Sequence, residues 1–213
     1  MLIALVVANL IAIGSDGAEI ALMDRLIAGE RVTDGEIQAN DNRQMVIGLI
    51  LVALWLVAAV VFIRWFHAAY RNLRAFGLEL RFRPGWSIGA WFVPFFNLWR
   101  PKQIANDIWR GSDPNLPRHL DPWSRPIPPL LGLWWAAWIA SILVSRGAFR
   151  SSLSASTAEE FRTAAVVDIV GLTIEIAAAV LAIAFVRRAT ARQEGRAARL
   201  ELTPTAAPAL EAA

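Results

Sequence analysis

The chain has 213 residues, of which 56% are hydrophobic and only 18% charged, with a mean hydropathy of +0.45. Soluble domains carry nearer a quarter charged residues, so the deficit points to segments that face no water. The net charge is +3, all but one of the 21 basic residues are arginine (the exception is Lys102), and cysteine is absent, which excludes disulfides, thiolate metal sites and cysteine nucleophiles.

Met1–Ile13 is apolar apart from Asn9. At about 1.5 Å per residue it reaches roughly 20 Å, short of the ~30 Å hydrocarbon core of a bilayer. A signal peptide wants a basic leading region, and no Lys or Arg precedes Arg25. The reading adopted is a first transmembrane helix within residues 1–28 that continues through Ser15, Asp16 and Glu19 as an amphipathic extension. Ile20, Met23, Leu26 and Ile27 keep the helical apolar stripe there. A start residue placed too late would also account for the shortness. Ala28–Arg43 is polar, with Gly29, Gly35 and a VTDGE turn, and is expected to be a loop.

Met45–Ile63 holds 19 uncharged residues, the clearest span, and with its aromatic end at Trp65 and Phe66 it makes a second transmembrane helix over 45–66. Residues 67–126 form an aromatic and basic region. Within it Gly85–Trp99 is uncharged but only 15 residues long and is interrupted by Pro94, which suits a re-entrant or interfacial segment better than a crossing. Pro84-Gly85 is a turn that tips this segment toward the bilayer, and Asn97 is placed to satisfy carbonyls that Pro94 frees. Ile127–Ser145 is the third span, and Arg146–Arg162 reads as a serine-rich loop. Thr163–Val186 is the fourth span, and residues 187–213 begin basic and then thin into a disordered tail. The predicted fold class is all-α: an integral membrane helical bundle with four transmembrane helices plus an interfacial or re-entrant helical segment.

Orientation follows from the basic residues. Arg64–Arg125 holds ten Lys and Arg and the tail from Arg187 five, whereas residues 14–44 and 146–162 hold three each, the former with seven acids. The positive-inside rule then puts the central stretch and both termini in the cytoplasm. Trp65, Trp86, Trp99, Trp109 and Trp123 fall in or beside the central stretch, where an indole can sit at headgroup level. Trp55, Trp134, Trp135 and Trp138 lie within spans and read as core.

The run FIRWFHAAYRNLRAFG, then RFRPGWSIGAWFVPFFNLWRPKQIANDIWRGS and a WW span, resembles a family of bacterial multi-pass membrane proteins, domain of unknown function 4328. The resemblance covers roughly residues 47–192, and its most specific parts are Pro84-Gly85-Trp86 and Asn97-Leu98-Trp99-Arg100-Pro101. It implies a multi-pass protein of the bacterial inner membrane with a shared architecture, and it brings no catalytic or ligand-binding residues to transfer.

Two sets of candidate residues emerge. The first is a lipid- or partner-docking face of Trp65, Tyr70, Arg71, Asn72, Arg74, Trp86, Asn97, Trp99 and Arg100. Here arginines beside an inner membrane surface attract anionic headgroups by about 1 kcal/mol each, and plain anchoring is the blander role. If the second helix continues, His67, Arg71 and Arg74 share a face. The second set is a cation or proton site. Asp168 and Glu175, seven apart on one helical face, would converge with Asp16 and Glu19; the blander role is a protonated, hydrogen-bonded Glu175 with Asp168 reaching water.

No GxxxxGK[ST], GxSxG or HExxH motif and no paired metal-ligand motif is present, and His67 and His119 are far apart. The expectation is therefore a protein that is not an enzyme, without cofactor or metal. Its expected partners are membrane lipids, chiefly anionic headgroups, with a protein partner or a second copy as further candidates and no nucleic acid, since interleaved tryptophans suit a lipid interface better. The runner-up function is a small transporter or channel component using the intramembrane acids.

Overall fold

The computed structural model describes residues 1–117 and 121–202, with only the backbone of the last two. Among the described residues the chain is all α-helical. Its elements are α1 (Leu2–Ile27), α2 (Asp34–Ala75), α3 (Trp86–Gly89), α4 (Arg100–Gly111), α5 (Pro129–Ser154) and α6 (Ala158–Leu202), with single 3₁₀ turns at Phe96–Leu98 and Pro122–Ser124. Four of them, α1, α2, α5 and α6, are long and apolar enough to cross a membrane.

Local chemistry explains where the helices start and stop. Thr33 and Glu36 form a reciprocal capping box, with Glu36 Oε2 accepting from the Thr33 amide at 2.8 Å and the Glu36 amide donating to Thr33 Oγ1 at 3.3 Å. The box starts α2 at Asp34, so the second half of the expected 28–43 loop is helical. Thr157 and Glu160 repeat the device at the start of α6. At the far end of α2, Gly77 takes φ +78°, and Leu78 N donates to Leu73 O at 3.1 Å. This is a Schellman stop, which a left-handed glycine closes without a Cβ clash.

The helices also outrun the expected spans elsewhere. α5 continues through Arg146–Ser154, and α6 runs from Ala158 to Leu202, so the expected serine-rich loop shrinks to a few residues and the basic start of the tail is helical. The expected disorder of the tail beyond Leu202 lies outside the described residues. Segment 85–99 is one short helix followed by turns and a 3₁₀ turn.

The chain divides into two compact units. The first comprises residues 1–62 and 129–184, and the second 63–128 and 185 onward. In the first, apolar side chains such as Leu49, Val52, Leu56, Leu133 and Val180 are exposed on helices of spanning length. A soluble bundle would bury such an array, whereas hydrocarbon accepts it. Its interior seats small residues, among them Ala12, Ala58, Ala164, Ala178 and Ala179, as close helix packing in lipid requires.

The second unit packs around Phe66, Tyr70, Leu73, Ile104, Ile108 and Phe185, all fully buried. In α4 the residues Pro101, Ile104, Ala105, Ile108 and Gly111 recur at helical spacing and form its buried face.

Candidate functional site

The second unit holds most of the residues named for docking. Arg100 stands at the start of α4 and lays its guanidinium 4.1 Å above the Phe82 ring, with Trp86 and Phe96 at 5.8 and 5.4 Å. Trp86 packs on Phe96 at 5.4 Å, and Phe96 on Trp99 at 5.6 Å. The Arg100 Nε is buried without a hydrogen-bond partner, so its surroundings are ring faces that attract the cation electrostatically. Trp86, Trp99 and Arg100 are thus one cluster, to which Phe82 and Phe96 belong as well.

Beside this cluster the 88–99 segment leaves apolar side chains in the open. Phe92 and Phe95 are 72% and 74% exposed, and Ile88, Leu98 and Trp99 are exposed too. Phe95 sits at φ +64°, in the region that favours glycine, directly after Pro94. Such a conformation costs on the order of 1 kcal/mol. Two exposed phenylalanines on a strained turn gain nothing in water. Arg81 and Arg83 are exposed in the segment just before them.

Other expected docking residues have structural surroundings. Tyr70 is fully buried, its hydroxyl accepting from the Phe82 amide at 3.0 Å, so it braces the 76–83 loop and offers no docking surface. Trp65 is half-buried, packs edge-on against Phe185 at 5.4 Å and donates to Thr190 Oγ1 at 3.2 Å. Asn72 donates to Gln193 Oε1 at 2.9 Å. Asn97 is half-buried in the 3₁₀ turn, and Arg71 and Arg74 stand exposed on α2. His67 Nδ1 lies 2.7 Å from Ser87 Oγ. That hydroxyl donates to Pro84 O at 2.6 Å, so the imidazole supplies the proton between them. His119 lies outside the described residues.

Three polar groups escaped the sequence reading. Asp107 is fully buried on α4, paired with Arg81 at 3.3 Å, and its Oδ2 has no partner. Burial outweighs the Arg81 and Arg110 charges and pushes its carboxyl up to about 6. Gln193, buried on α6, donates to Ala69 O at 2.8 Å and Ser112 Oγ at 3.1 Å. Asp113 faces Arg125 at 3.1 Å and Arg192 at 3.7 Å, and its carbonyl accepts from Arg196 at 2.9 Å. Asp107 carried one legible signal, an acid inside the apolar stripe of α4. The pairings of Gln193, and those of Asp113 with Arg192 and Arg196, join residues some eighty apart or more and carried none. Burial lowers the Lys102 ammonium, which donates to Asn106 Oδ1 at 2.6 Å.

The first unit assembles the acids. Gln44 donates to Asp16 at 3.1 Å and also to Glu19, and Arg43 donates to Ser15 Oγ at 3.0 Å and to Asn40 Oδ1 at 2.5 Å. Asp168 is near enough to interact electrostatically with Asp16, Glu19 and Glu175. Asn9, buried, lies against Glu175, although its amide nitrogen completes no hydrogen bond. The acids are therefore neighbours, interleaved with Arg43 and Gln44. Among the described residues no group of three or more His, Cys, Asp or Glu is arranged to hold a metal ion.

Comparison with curated proteins and with solved structures returns no match. A family model does match, over residues 28–191, from just before α2 through most of α6 and including the whole aromatic–basic region. The chain belongs to the family described as a domain of unknown function, DUF4328, and is a membrane protein with four helices of spanning length.

Proposed function

We propose that this protein is a non-enzymatic membrane component whose second unit docks on the anionic lipid of the cytoplasmic leaflet. The observation that carries the reading is the 88–99 segment, where Phe92, Phe95 and Trp99 are exposed, with Arg81 and Arg83 exposed in the segment that precedes it and Arg100 in the adjoining ring cluster. Apolar rings seated among acyl chains, with cations at phosphate level, are how an interfacial segment satisfies both layers of a leaflet. The cytoplasmic orientation rests on the basic excess of this region and of α6 beyond Val186. The test uses the absence of cysteine. Phe95→Cys carrying an environment-sensitive fluorophore is expected to be quenched by doxyl-labelled lipid in phosphatidylglycerol-containing nanodiscs. Quenching by aqueous iodide alone would count against docking.

A second reading is a transporter or channel component built on Asp16, Glu19, Asp168 and Glu175. It is favoured by their mutual proximity and by a buried Asp16 Oδ2 without a partner. Cation or proton flux in liposomes that is lost in Glu175→Gln or Asp168→Asn would support it, and flux unchanged by both would remove it.

A further inference from the structure

Trp109, Arg110, Asp113, Arg125, Ile127, Pro128 and Arg192 are among the residues that line a cavity of about 330 Å³ in the second unit. This is within the ~300–1,000 Å³ range of small-molecule sites. Three arginines face one aspartate, so the lining carries excess positive charge. The arginines are held in place: Arg110 Nε donates to Arg125 O at 2.7 Å, Arg125 Nη1 meets Asp113 Oδ2 at 3.1 Å, and Arg192 stacks over Trp109 at 4.5 Å. Arg192 is underused as a donor. Its Nη2 stands 3.7 Å from Asp113 Oδ1, beyond hydrogen-bond length, and its buried Nε has no partner. A planar fork with unspent donors beside a second arginine matches the oxygens of a phosphate, which guanidinium binds in bidentate fashion.

The apolar wall says which phosphate. Trp109, Ile127 and Pro128 line the same cavity, and Pro128 directly precedes α5, a helix of spanning length. On the docking reading, a lining residue that directly precedes a spanning helix belongs at the depth of lipid phosphates rather than in bulk water. We infer that this pocket binds the headgroup phosphate of one anionic phospholipid, with Arg192 and Arg125 gripping the phosphate oxygens. The inference rests on the second unit facing anionic lipid, yet it concerns residues other than the 88–99 segment and is read separately.

The experiment is native mass spectrometry of the full chain, delipidated in detergent and titrated with phosphatidylglycerol, with phosphatidylcholine for comparison. Wild type is expected to retain one phosphatidylglycerol in preference to phosphatidylcholine. Arg192→Gln and Arg125→Gln should each weaken that binding about tenfold, as loss of a charge-assisted hydrogen bond predicts. Arg192→Lys, which keeps the charge without the fork, should fall between, and Arg187→Gln, exposed on the same helix, should match wild type. Far-UV circular dichroism identifies variants that fail to fold, and Arg192→Lys keeps the test alive if Arg192→Gln does so. Unchanged lipid retention in folded Arg192→Gln and Arg125→Gln would overturn the pocket. Glycerol 3-phosphate or inorganic phosphate binding as tightly as the lipid would overturn the lipid assignment. Phe95-site quenching by doxyl lipid that persists in Arg192→Gln would show that the docking reading stands apart from the pocket.

Discussion

Arg81 reaches the fully buried carboxylate of Asp107 with one nitrogen at 3.3 Å, while the second carboxylate oxygen has no partner. Only one oxygen is paired, and by an arginine that is itself 43% exposed. Desolvation therefore wins, and the carboxyl sits at about 6 against an ordinary 3.8. Because the folded state holds the proton more tightly than the unfolded chain, Asp107 favours folding at acidic pH. That contribution is lost as pH rises from about 4 to about 6. The full effect is on the order of 3 kcal/mol. Thermal unfolding of wild type and Asp107→Asn across pH 4 to 7.5 is expected to give a stability difference that moves in favour of the variant as pH rises. A difference independent of pH would remove the account of Asp107.

Gln193 ties three elements of the second unit together by donating to Ala69 O and Ser112 Oγ and accepting from Asn72. Gln193→Ala leaves the buried Ser112 hydroxyl without this partner and opens a cavity. The expected cost is about 2–3 kcal/mol. Asn72→Ala, at an exposed position, should cost less than about 1 kcal/mol. Chemical denaturation in detergent reads both, and equal costs would show that the network is no brace.

Gly111 ends α4 where a Cβ would stand 2.9–3.0 Å from the terminal methyls of Leu73 and 3.0 Å from Leu78 Cδ1. Leu73 is fully buried and has little room to retreat. Overpacking of about 1–3 kcal/mol then exceeds the up to ~1 kcal/mol that alanine adds in a helix. Gly111→Ala is expected to lower the unfolding midpoint, and Leu78→Ala in the same chain to recover part of the loss. A stabilised Gly111→Ala would mean that the two leucines repack freely.

The four long helices were legible because a bilayer demands roughly twenty apolar residues in a row, whatever their partners. Their true lengths were not, since a helix outside the hydrocarbon needs no apolar run. Thr33-Asp34-Gly35-Glu36 looks like a turn by composition, although its T-x-x-E spacing is a capping box, and Arg146–Ser154 looks like loop because it carries arginines and serines and no long apolar run. The gathering of Trp86, Trp99 and Arg100 was visible as local density of rings and cations within fifteen residues. Tyr70 looks like surface from its basic neighbours, yet it is buried and its hydroxyl meets the Phe82 backbone across a loop that sequence spacing does not reveal. Arg125 and Arg192 meet at Asp113 by long-range packing, which a single chain's periodicity does not encode.

The central claim is that the aromatic–basic unit faces the cytoplasm, and single cysteines test it directly in a chain that has none. Arg31, Ser152, Asn115 and Ala198 are exposed positions in the two acid-containing or serine-rich connections and in the basic unit. With a membrane-impermeant thiol reagent, Arg31→Cys and Ser152→Cys are expected to label in intact cells. Asn115→Cys and Ala198→Cys should label only after the cells are opened. Labelling of Asn115→Cys from outside would contradict the account, because the basic unit would then face away from the anionic leaflet it is proposed to engage.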